Sequence, residues 1–151
     1  MPEDEYQKYE QACKRIKKAN TKLLEQFEQW LSEKRLAEKT VRRHVENAEF
    51  YINTFLLYED AIPAKEGANQ ISMFLGYWFI RKAMWASPSA IRENAASLKK
   101  FYAFMQEQGE VSAEALQDLK ETIKEEMPDW IGTIERYDDP DITDPRKIWG
   151  L

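Results

Sequence analysis

Lys34, Arg35, Lys39, Arg42 and Arg43 fall within ten residues that hold one acid, Glu38. Such a cluster at the start of a helix, where free backbone N–H groups already attract anions, suits the oxygens of a phosphate. A second group, Ser89, Arg92 and Lys99 with Lys100 beside it, follows Ser87-Pro88 at helical spacing. Ser-Pro begins a helix because the hydroxyl accepts an N–H of the first turn and proline has no N–H to leave unpaired. Two helix starts of this kind can grip the backbone of a duplex. Paired with Glu33, Glu38, Glu46 and Glu93, the same residues would instead make ordinary solvated faces.

Other chemistry finds little material. His44 and Cys13 are the single histidine and cysteine, and no paired spacing of either type offers zinc its ligands. Asp139, Asp141 and Thr143 are spaced like the start of a calcium loop, but Asp144 stands where that loop needs glycine and Gly150 where it needs glutamate. The glycines at 67, 76, 109, 132 and 150 are scattered singly, without a phosphate-cradling spacing. Carboxylates abound, but on amphipathic helices they describe the solvated face and single out no acid–base pair. No catalytic residue, metal or cofactor is expected.

The elements that must position the basic residues follow from periodicity. Tyr6, Tyr9, Cys13, Ile16, Asn20, Leu23, Phe27 and Trp30 step by three and four, giving helix over the first 34 residues, with a break expected at Asn20-Thr21. A second helix is predicted over residues 37–58, burying Val41, Val45, Ala48, Ile52 and Phe55 and turning Lys39, Arg43 and Glu46 outward; His44 is read as a surface residue. Residues 59–67 form a connection. The third helix has one stripe of Ile71, Phe74, Leu75 and Trp78 and another of Met73, Tyr77, Ile80 and Met84, with Gly76 allowing close backbone approach. The fourth carries Ile91, Ala95, Leu98, Tyr102 and Met105 inward and ends at Gly109. Ser112 caps the fifth, which buries Leu116, Leu119 and Ile123 and is predicted to stop near Pro128, before a short apolar piece with Trp130, Ile131 and Ile134. Beyond Tyr137 irregular chain is expected, with Ile148, Trp149 and Leu151 docking back on the body or on a second molecule.

Composition agrees with an all-α domain: 151 residues, 43% hydrophobic and 13% aromatic, with only five glycines and six prolines. The net charge of -5 is uneven, since residues 1–107 carry 17 basic and 15 acidic side chains and residues 108–151 carry 5 and 12, or +2 and -7. The longest apolar run, residues 73–80, spans eight residues, whereas a bilayer needs about 20. With one cysteine and no leader-like opening, a cytoplasmic protein without membrane contact is expected.

Leu36-Ala37-Glu38-Lys39-Thr40-Val41-Arg42-Arg43 followed by Phe50 and Phe55, and then Ser87-Pro88-Ser89-Ala90-Ile91-Arg92 with residues 96–104, resemble the second and fourth helices of the N-terminal core-binding domain of tyrosine recombinases, the phage integrase family. Phe27 and Trp30 resemble part of its first helix, so the likeness spans residues 21–110. It implies a SAM-like bundle of five to six helices clamping double-stranded DNA, with Thr40 meeting a phosphate between Lys39 and Arg43, and Ser89, Arg92 and Lys99 forming the fourth-helix contact face. It also implies a chain unable to cut DNA, because nothing after residue 110 offers the family's catalytic arginines, histidines and tyrosine. The expected organisation is an N-terminal helical extension (1–20), the core-binding domain (21–136) and an acidic tail (137–151), the tail competing with DNA for the basic face. The alternative is a helical domain that kept the fold and binds a protein, or a second copy, through the apolar third helix or the tail.

Overall fold

The computed structural model describes residues 2–150, which form six helices and short 3-10 turns with no strand among them. Helix α1 (Pro2–Glu33) runs unbroken. The break expected at Asn20 is not made, because Asn20 is buried and donates through Nδ2 to the Ile52 carbonyl at 3.2 Å and to Asn53 Oδ1 at 2.9 Å. Its amide serves a neighbouring helix, so it does not cap its own. About three turns earlier, the Tyr9 hydroxyl donates to the Leu57 carbonyl. The chain then turns through Arg35, whose φ of 62° makes it the one non-glycine in the left-handed region among the described residues.

Helix α2 (Glu38–Glu49) continues as a π-helical turn, Phe50–Phe55, in which the Leu56 amide donates to the Tyr51 carbonyl at 2.9 Å. Helix α3 repeats the device: Ile71–Met73, a π-helical Phe74–Trp78, then Phe79–Lys82. The sequence reading gave both helices one uniform period and missed these wide turns. They pack on each other through rings, with centroids 4.9 Å apart for Tyr51–Phe74 and for Phe55–Phe74, 5.3 Å for Phe55–Trp78 and 5.7 Å for Phe50–Trp78. One extra residue per turn widens the helix enough to aim successive aromatics into the same space. Between α2 and α3 the connection is pinned by two buried tyrosines, the Tyr51 hydroxyl donating to the Gly67 carbonyl at 2.6 Å and Tyr102 to Ala64 at 2.8 Å.

Helix α4 (Pro88–Glu107) follows the sequence pattern. Ser87 Oγ accepts from the Ala90 amide at 3.0 Å, the five expected residues are buried, and Gly109 ends the helix region at φ 78°. α4 packs against both α2 and helix α5 (Ala113–Asp138).

Helix α5 does not stop at Pro128. Proline costs one backbone hydrogen bond, and burial of Ile123 before it and of Trp130, Thr133 and Ile134 after it holds both halves on the body. Tertiary packing outweighs the local breaker. Trp130 fits over Gly76 of α3, where a Cβ would lie 2.9 Å from two indole atoms. The chain beyond Tyr137, expected irregular, contains a short helix α6 (Pro145–Trp149) that does dock back: Trp149 packs on Tyr77 at 4.8 Å and Tyr137 at 6.0 Å, and Arg136 Nε donates to the Ile148 carbonyl at 3.0 Å.

The Gly76 notch sets a test. Gly76→Ala forces the buried Trp130 ring to shift, and the cost of overpacking exceeds the gain in helix propensity, so urea denaturation is expected to give a stability lower by about 1–2 kcal/mol.

Candidate nucleic-acid interface

α2 and α4 meet at one buried hydroxyl. Ser97, fully buried on the inward side of α4, accepts at Oγ from Asn47 Nδ2 at 2.9 Å and lies 2.8 Å from His44 Nδ1. With His44 neutral and its proton on Nε2, the Ser97 hydroxyl donates to Nδ1, so the one oxygen both accepts and donates across the seam. His44 is therefore half-buried between helices and not the free surface residue expected. Burial, reinforced by the charges of Lys100 and Arg43, holds its pKa below the usual imidazole value.

One turn from this seam Arg43 Nη1 stands 3.4 Å from Glu93 Oε1, both side chains about half exposed at 53% and 50%. A surface pair of this kind contributes about 0–1 kcal/mol. Its value here is positional, because it ties the basic cluster of α2 to the first turns of α4. Lys39 and Thr40 are exposed in the first turn of α2, one turn before Arg43. Ser89, Arg92 and Lys99 are exposed on α4 at a spacing that sets them on one stripe, beside the Glu93, Ser97 and Lys100 stripe facing α2. Lys39, Arg92 and Lys99 make no ion pair among the described residues.

The two helix starts differ. No side chain caps α2, whose N-cap is Ala37, so its first N–H groups have no capping partner. At α4 Ser87 has taken the Ala90 amide, which makes that start less of an anion site than the sequence implies. Sequence reasoning missed His44, Asn47 and Ser97 as the joint between the two helices. The signal available was Ser97 itself, which falls beside the inward stripe of α4, where a buried hydroxyl needs a partner.

The acidic tail lies elsewhere. Its contacts run through Trp149 and Arg136 to α3 and α5, Asp144 caps α6 and pairs with Arg146 at 3.2 Å, and Asp139 Oδ1 accepts from the Asp141 amide at 2.9 Å. These aspartates are turn and cap residues. No group of three or more metal-ligating side chains occurs among the described residues. A surface groove of about 560 Å³ between residues 65–72 and α5 is lined by Lys65, Glu66 and Asp118 among others and by none of the six candidate residues. Among the described residues no helix is long and apolar enough to cross a membrane.

No family model, curated protein or solved structure matches this chain.

The histidine gives a pH test. Because the folded pKa of His44 is lowered, the unfolded chain takes up its proton first as pH falls, so the neutral seam contributes stability above about pH 6.5 that is lost as pH drops toward the folded value. The urea midpoint is expected to fall between about pH 7.5 and about pH 5.5, and to fall less in His44→Gln.

Proposed function

We propose that this chain is a non-catalytic DNA-binding module of integrase core-binding type, contacting the duplex backbone through Lys39, Thr40, Arg43, Ser89, Arg92 and Lys99. The observation that carries the reading is the Arg43–Glu93 bridge beside the Ser97 seam, which joins two exposed basic clusters on adjacent helices. The acidic tail, fastened to α3 and α5, leaves these side chains exposed.

The chemistry is phosphate binding. The uncapped start of α2 offers backbone N–H groups and the Thr40 hydroxyl, while Lys39, Arg43, Arg92 and Lys99 supply charge. Glu93 is a built-in competitor: phosphate must replace it at Arg43 or share that guanidinium with it. A protein-binding reading is favoured by a different feature, the exposure of Met73 at 54% and Tyr77 at 41% on α3.

Fluorescence anisotropy with a labelled random duplex at about 50 and 200 mM salt tests the proposal. Four cation contacts give a log–log salt slope of about -4. Arg43→Glu with Arg92→Glu is expected to abolish binding, and Glu93→Gln to tighten it several-fold. Absence of binding by the unaltered chain at the lower salt overturns the DNA reading; self-association or partner capture lost on Tyr77→Ser then supports the protein one.

A further inference from the structure

We propose that the turn joining α3 to α4 is a nucleobase-stacking wedge, in which Met84 enters an opened base step and Trp85 stacks on an unstacked base of the nucleic acid held by α2 and α4. The inference rests on the DNA-binding reading and adds to it a contact with bases.

Three observations meet at this turn. Met84 is 99% exposed and Trp85 beside it 59% exposed, the most prominent apolar tip among the described residues. Isolated exposed apolar residues are common and need no explanation, but Trp85 is held in place: its ring meets Phe50 at 5.3 Å and 63° and Phe79 at 6.2 Å and 82°. The turn itself is anchored on both sides, with Ala83 buried, the Ala86 amide donating to the Ala83 carbonyl at 3.1 Å, and Ser87 capping α4. A fixed, half-exposed indole loses little freedom when a planar partner stacks on it.

The charge around the tip is the second argument. From residue 67 to residue 92 the chain contains no Asp or Glu, although 27 of its 151 residues are acidic, and its charged side chains there are Arg81, Lys82 and Arg92. Arg81 lies over the Tyr77 ring at 5.2 Å and donates to its hydroxyl at 2.7 Å, and Lys82 Nζ lies 5.3 Å from the Tyr58 ring centroid. Both cations remain exposed beside the tip, and Ser89 and Arg92 follow it within two turns of α4. An apolar tip on a stretch of chain whose only charged side chains are cationic fits an anionic partner with a planar apolar interior. Two adjacent side chains match the size of one base step, where wedges of Met and aromatic type act; lasting adhesion to a bilayer calls for a broader apolar face.

The experiment compares a single strand, an intact duplex, and a duplex with 2-aminopurine opposite an abasic site, using the full chain and three variants. The unaltered chain is expected to bind all three, to prefer the abasic duplex over the intact one and to change the 2-aminopurine emission. Trp85→Ala is expected to weaken single-strand binding about 5- to 100-fold, with Trp85→Phe retaining most of it. Met84→Ala, at a fully solvated position that the fold does not use, is expected to diminish the 2-aminopurine change. If Met84→Ala and Trp85→Ala leave affinity and emission unchanged while Arg43→Glu with Arg92→Glu still abolishes binding, the wedge is overturned and the backbone-binding reading stands. If no nucleic acid binds at low salt, both fall. Co-sedimentation with phosphatidylserine-containing vesicles that is lost in Trp85→Ala, without nucleic-acid binding, assigns the tip to a lipid surface and overturns the proposal.

Discussion

The Ser97 hydroxyl sets how α2 and α4 sit against each other. It is buried, it meets Asn47 and His44 at hydrogen-bond distance, and its small size lets the two helices close on it. A hydroxyl left without those partners would carry the full cost of its desolvation, about 1–3 kcal/mol, so helices shifted along each other are penalised at this one atom. The separation of Arg43 from Arg92 descends from that register. An apolar residue in the same place would fill the space without choosing between neighbouring alignments.

The second organising feature is the ring cluster between the π-helical turns. Phe50, Tyr51, Phe55, Phe74 and Trp78 contribute tilted and edge-on contacts, each worth about 0.5–1.5 kcal/mol beyond the area it buries. The same cluster reaches both ends of the molecule's business: Phe50 supports Trp85 at the α3–α4 turn, and Trp78 lies two residues from Gly76, where Trp130 brings in α5. Rigidity in the core is thereby extended to a side chain that stands half in solvent.

How far the sequence could be read depended on whether local and tertiary preferences agreed. In α4 they do: Ser87, Pro88, an inward stripe and Gly109 all give one answer, and the structure follows it. In α2 and α3 a uniform period conceals the wide turns, because a π turn is stabilised by what it packs against and leaves no fixed mark in the residues themselves. Asn20 and Pro128 carry strong local signals that burial overrides. The exposed basic residues were legible because amphipathic helices separate their faces cleanly. The His44–Ser97 joint was not, since it links positions 53 residues apart and no local rule connects them. The likeness of residues 36–43 and 87–104 to integrase core-binding helices stands on the residue pattern alone.

The π-helical turns also bear on how such a chain can change over generations. A turn that holds one residue more than an α-helical turn can lose that residue and close to an ordinary turn with the chain after it facing nearly the same way, because the wide turn sweeps about the same angle with one residue more. At residues 50–55 such a loss would leave Leu56 and Leu57 facing the core, and at 74–78 it would leave Phe79 and Ile80 there. Single-residue deletions are therefore absorbed at these two places more readily than elsewhere in the helices, and their cost is the ring contact that the lost residue made.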